Sequence, residues 1–147
     1  MHPHPDIAHV DMPREVALPS FRLAPLSPEA IDEDCEAVMA SAEVPKVLWG
    51  DRPEGLTRED DRIDLASHER EVTPRRSFSW IVRDAAAACL GCVYLFPDPG
   101  ARGTAEVVWW LRDRPDRAIL SARLREELAP WLAGRLPGGL ALRWRGG

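Results

Sequence analysis

Alternation of apolar and polar positions is clearest at Phe78-Ser79-Trp80-Ile81-Val82-Arg83, where Phe78, Trp80 and Val82 share one face of an extended segment. Asp84 and four alanines interrupt it, and Cys89 to Phe96 returns, which predicts a hairpin whose turn lacks the usual Asn-Gly pair. Gly91, inside the returning strand, predicts a bulge or a close backbone approach. Beyond the turn-rich Pro97 to Gly103, the run Ala105 to Leu111 predicts another strand. Upstream, Phe21 to Leu26 predicts the first strand, with Pro25 confining it to an edge or a strand end. Ser27-Pro28-Glu29 is a helix-start signal, and Ile31, Cys35, Val38, Met39 and Ala42 follow at helical spacing, giving a helix over 28–43 that stops before Pro45.

Thr57 caps a second helix that runs to about residue 72, with Ile63 and Leu65-Ala66 as its sparse apolar contacts. Between these helices, Val47 to Gly55 is a turn-rich loop in which Trp49 serves as a core plug or a pocket wall. Asp116 begins a third helix with Leu120, Leu124, Leu128, Trp131 and Leu132 along one face; Pro130 should kink or end it, and Gly134 stops it. A last strand, Leu140 to Arg145, alternates Leu140, Leu142 and Trp144 against Ala141 and Arg143. The order is strand, two helices, three strands, helix, strand. It predicts a mixed α/β domain of α+β type, with a mostly antiparallel five-stranded sheet, helices on its faces, and a final parallel strand pair made by the helical crossover.

The 147 residues, 45% hydrophobic, suit one domain over 18–147, preceded by a His- and Pro-containing segment 1–17 that is a flexible lead-in or a strap. A net charge of −5 argues against a general nucleic-acid binder. No apolar run approaches a membrane span or a signal segment, so a cytoplasmic protein is expected. Lys46 is the one lysine among 19 basic residues, which reflects either a use for guanidinium groups or genomic base composition. Cys89 and Cys92 have the spacing of a metal or redox pair, but on a regular strand they point to opposite faces, so neither metal nor redox chemistry is expected there. His68-Glu69-Arg70-Glu71 has Val72 where a metalloprotease helix needs its second histidine.

The junction VVWWLRDRPDRAIL, residues 107–120, carries a buried-type strand into a helix N-terminus, a common anion site. It contains no glycine. Arg112, Arg114 and Arg117 either hold phosphates or are neutralised by Asp113 and Asp116 within the turn.

The element order, Arg22-Leu23-Ala24-Pro25-Leu26 before a capped helix, the strands around Phe78 to Val82 and Leu90 to Leu95, and Val107 to Arg112 together resemble the GCN5-related N-acetyltransferase family over residues 20–145. The resemblance implies acetyl-CoA as cofactor and transfer of its acetyl group to a small amine. It implies that the edge of the strand ending at Trp110 and Leu111 pairs with the pantetheine arm, and that Arg112, Arg114, Arg117 and Ala118 at the helix start receive the phosphates. The family's Gln/Arg-x-x-Gly-x-Gly/Ala loop would begin at Arg112, which places Pro115 and Arg117 where glycines are expected. The chain also ends before the elements that often supply a tyrosine acid; Tyr94 is the only tyrosine. Glu106 matches a position where some members keep a base, and Glu69 and Glu71 are candidates to face the amine. The alternative is a domain of this fold without catalysis that binds a partner or forms a homodimer through its last strand or its tryptophan-rich sheet.

Overall fold

A computed structural model describes residues 2–39, 41, 57–72 and 75–146. The predicted end of the first helix before Pro45 and the loop around Trp49 lie outside them. In chain order come β1 (Val16–Ala17), β2 (Arg22–Pro25), a 3-10 turn (Pro28–Ala30) leading into α1 (Ile31–Met39), α2 (Arg58–Val72), β3 (Phe78–Arg83), β4 (Cys89–Pro97), β5 (Thr104–Leu111), α3 (Arg117–Ala133) and β6 (Ala141–Gly146). The six strands lie side by side in sequence order, antiparallel throughout except for the parallel pair β5–β6. The sixth strand relative to the sequence pattern is β1, which pairs Val16 with Leu23 and Ala17 with Arg22. Two residues are too short a run for alternation to reveal. Among the described residues no helix is long and apolar enough to cross a membrane.

Residues 2–17 lie across the fold as a strap. Ile7 and Val10 are buried in the core, His4 Nε2 donates to the Asp98 carbonyl at 2.8 Å, and Trp80 Nε1 donates to the Pro13 carbonyl at 3.2 Å. Thr57 and Asp60 make a reciprocal cap at the start of α2, each backbone N–H donating to the other's side chain at 3.1 Å. Leu65 from α2 is buried as expected, whereas Ile63 is 53% exposed, so it is not a core contact. α3 passes through Pro130 and ends three residues later. The proline sits on the exposed side of the last turn, where a lost backbone bond is least costly.

Each face of the sheet carries its own core. Leu124, Leu128 and Leu132 of α3 pack with Trp80, Val93, Val107 and Trp109 on one side. Ala37 and Val38 of α1 and Leu65 of α2 pack with Ile81, Cys92, Val108 and Trp110 on the other. The β3–β4 hairpin decides one point of that division. Its register pairs Val82 with Gly91 but Arg83 with Cys89, so Leu90 is an extra residue. The bulge reverses the alternation, and Cys89 and Cys92 both face the α1–α2 side, not opposite sides as a regular strand would place them. The turn itself is made without Asn-Gly: Asp84 Oδ1 accepts from the Ala86 and Ala88 N–H groups at 2.8 and 3.0 Å, and Ala87 takes φ +64°. Gly91 is required by close approach, since a β-carbon there would lie 1.9 Å from the Trp110 carbonyl oxygen.

Candidate functional site

β6 runs beside β5 from the pair Thr104–Ala141 to the pair Trp109–Gly146. The approach is tight, and a β-carbon on Gly146 would lie 2.1 Å from the Trp109 carbonyl oxygen. Leu111 lies beyond this pairing. The Arg112 N–H donates to the Leu90 carbonyl at 2.7 Å, so antiparallel alternation turns the peptide groups of Trp110 toward Cys92 of β4 and those of Leu111 away from β4. Of the two residues expected to present their backbone at this edge, the pairing therefore leaves Leu111. Trp110 is committed to β4 because a strand's successive residues bond to alternate neighbours.

The next five residues bring the chain to α3. Arg112 makes a two-pronged contact with Glu36 of α1, one bond of 2.8 Å from Nη1 to Oε2 and a second from Nη2 to Oε1. That hydrogen-bonded guanidinium holds the Glu36 carboxyl below the usual carboxylate range. Arg114 donates to both oxygens of Asp116 at 2.9 and 3.2 Å, and Arg117 donates to Asp113 at 3.1 Å. All three arginines thus have acidic partners, which is the self-neutralised arrangement. Asp116 occupies the N-cap position, but its side chain makes no cap hydrogen bond. The N–H groups of Ala118 and Ile119, in the first turn, precede any intrahelical acceptor.

The other predicted residues lie on the α1–α2 face. Tyr94 is buried, its ring parallel to that of Phe96 at 5.6 Å and 4.9 Å from the His68 ring; its hydroxyl accepts from Trp110 Nε1 at 3.4 Å. Burial pushes the phenol well above its ordinary pKa. This is a core position. Glu106 stands opposite Phe96 in the β4–β5 register and pairs with Arg145 of β6 at 2.9 Å. Glu69 pairs with Arg14 at 3.5 Å and Glu71 with Arg76 at 3.1 Å.

A cavity of about 630 Å³ lies between α2, the end of β4 and the N-terminal strap. Asp64, His68, Glu71, Phe96 and His4 line it, and His68 Nε2 is 3.4 Å from Asp64. Glu71 reaches this cavity; Glu69, two residues earlier on the helix, does not line it. Asp64 and His68 were not among the predicted site residues. Their signal was the spacing Asp64, Ser67, His68, Glu71, a polar stripe on one helix face. Among the described residues no group of three or more side chains is placed to hold a metal ion.

No family model matches the chain, and no curated protein does. Solved structures do. A GCN5-related N-acetyltransferase from Brucella melitensis superposes with a TM-score of 0.64 at 17% identity, over 92% of this chain and 60% of that one. A Vibrio cholerae protein assigned as a ribosomal-protein-serine acetyltransferase gives 0.67 at 12% identity, over 91% and 70%. RimL, a ribosomal L7/L12 alpha-N-protein acetyltransferase, solved in complex with coenzyme A, gives 0.57 at 13% identity, over 77% and 64%. This chain therefore has their fold and spans 60–70% of their lengths.

Proposed function

We propose that this chain, with the fold of the GCN5-related N-acetyltransferases, binds acetyl-CoA at the end of β5 and transfers its acetyl group to a small amine. The observation that carries this reading is the end of the β5–β6 pairing at Trp109, with Leu111 turned outward just before the first-turn amides of α3. Acetyl-CoA supplies an activated thioester and, along its pantetheine arm, amides that suit such an edge. Leu111 would bond that arm, the Ala118 amide would face the phosphates, and Arg112, Arg114 and Arg117 would exchange their carboxylate partners for phosphate oxygens. Side chains at these places do what glycines do elsewhere, by charge in place of backbone N–H groups.

The amine belongs in the cavity beside α2, where Asp64 and Glu71 offer negative charge and Phe96 an aromatic floor. Glu106, opposite Phe96 and paired with Arg145, would accept the amine's proton once Arg145 releases it. Glu106 lies five residues before Leu111, roughly 17 Å along the strand, and the thioester end of the cofactor and the acceptor would divide that span. The solved neighbours include enzymes that act on ribosomal proteins, so an amine at a protein N-terminus is the alternative acceptor to test beside small polyamines.

The self-neutralised arginines favour a second reading, a non-catalytic domain that binds a partner or forms a homodimer. Calorimetry with acetyl-CoA separates the two. Saturable binding is expected, with Arg112→Ala raising Kd roughly 3- to 10-fold, the loss of one charge-assisted contact. No heat at millimolar cofactor would sink the transferase reading, and unchanged affinity in the variant would move the phosphates elsewhere.

A further inference from the structure

α1 and α2 each turn one aspartate into the seam between them. Asp34 from α1 is 4% exposed and Asp61 from α2 is 3% exposed. The two carboxyl groups meet in that seam, close enough to share a hydrogen bond. Carboxylates only accept, so this bond requires that one of the pair carry a proton. The neighbours say which. Cys92 Sγ donates to Asp34 Oδ1 at 3.1 Å, so Asp34 accepts from two sides and is the ionised member, while Asp61 donates. Asp61 Oδ2 is buried, and among the described residues no N–H or O–H group outside the pair donates to it. A neutral acid bears that deprivation at far lower cost than an anion does.

The titratable groups facing the pair are Asp64 and His68 from α2 and Cys89, Cys92 and Tyr94 from β4. Asp64 adds negative charge; His68 is the one potential cation among them. The network does not stop at Asp34. Tyr94 donates to the Cys92 sulfur, and Trp110 Nε1 donates to Tyr94, so a buried polar thread runs from α2 across α1 and β4 to β5.

We propose that Asp34 and Asp61 form a one-proton clasp that fastens α1 to α2 over the sheet, and that losing this proton in alkaline solution loosens the helix pair. Two ionised carboxylates in contact in a site of low polarity repel each other and leave three or more lone-pair positions unsatisfied. Burial, followed by the charge of Asp34, pushes the Asp61 carboxyl up to about 8, and burial raises Asp34 as well. In the unfolded chain an aspartate titrates near 4. Between about pH 4 and about pH 8 the folded chain therefore holds one more proton than the unfolded chain, and stability falls as pH rises, levelling off above that range.

Infrared or carbon-13 titration of the intact chain should show one aspartic acid still protonated at neutral pH and ionising near pH 8. Asp61→Asn keeps an N–H donor toward Asp34 and removes the ionisable group. The unfolding constant of the natural chain relative to this variant should rise by up to tenfold per pH unit between about pH 5 and about pH 8, then level off. Absence of a protonated carboxyl at neutral pH overturns the proposal, as does a ratio that stays constant across the range. The spectroscopic titration uses only the natural chain, so it decides the matter even if Asp61→Asn does not fold.

Discussion

On the α3 face, Leu124, Leu128 and Leu132 meet Ala105, Val107 and Trp109, and the Trp109 indole finds the Ser121 hydroxyl at 2.8 Å. On the α1–α2 face the same strands meet Asp34, Asp61, two thiols and a phenol. The first layer is held by area removed from water, where a fully buried leucine contributes about 1.5–3 kcal/mol. The second gives up part of that area for a polar thread whose members stabilise only while each is bonded to the next. An apolar layer weakens gradually as atoms are removed. A polar layer fails at particular atoms and responds to pH.

The largest expected effect lies on the apolar side: Leu128→Ala should cost about 2–5 kcal/mol in denaturant unfolding, because the fully buried site cannot collapse around the loss. Gly91→Ala should follow, at roughly 1–3 kcal/mol or more, since its new β-carbon drives β4 and β5 apart. A cost within experimental error would mean that the two strands are not so close. Tyr94→Phe removes one oxygen and almost no volume, and should still cost about 1 kcal/mol by breaking the thread between Cys92 and Trp110. No loss there would erase the distinction between the two faces. Burial pushes the Cys89 thiol up to about 12 and raises the Cys92 thiol well above its ordinary range. Both should resist a thiol reagent at pH 8 until the chain unfolds, since the thiolate is the reactive form. Ile63→Lys, at an exposed position of α2, should change stability by no more than about 0.5 kcal/mol.

The strands β3, β4 and β5 were readable from the sequence because their apolar runs and turn residues are strong local signals. The leucine stripe of α3 and the cap at Thr57 are equally plain, while the reciprocal bond from Asp60 is a finding of the structure. Cys89 and Cys92 were misplaced for a definite reason: alternation assumes a regular strand, and one extra residue at Leu90 reverses every assignment before it. Composition offers Ile63 as an apolar contact beside Leu65, yet helical geometry turns residues two apart well away from each other. The sequence pattern singles out neither Asp34 nor Asp61. Nothing in one helix shows that an aspartate of another will be brought against it.

For the candidate site, the sequence pointed to the β5–α3 junction, and it could count the charges there. It could not say whether Arg112 would meet a phosphate or Glu36, because Glu36 lies 76 positions away. What the sequence by itself determined is the order and type of the elements, since period and punctuation are local properties of a chain. The tertiary structure alone decided where β6 stops along β5, which acids the arginines meet, and that two aspartates share a buried seam. Those outcomes depend on register and on long-range partners, and a single residue of bulge or a one-residue difference in strand length is enough to change them.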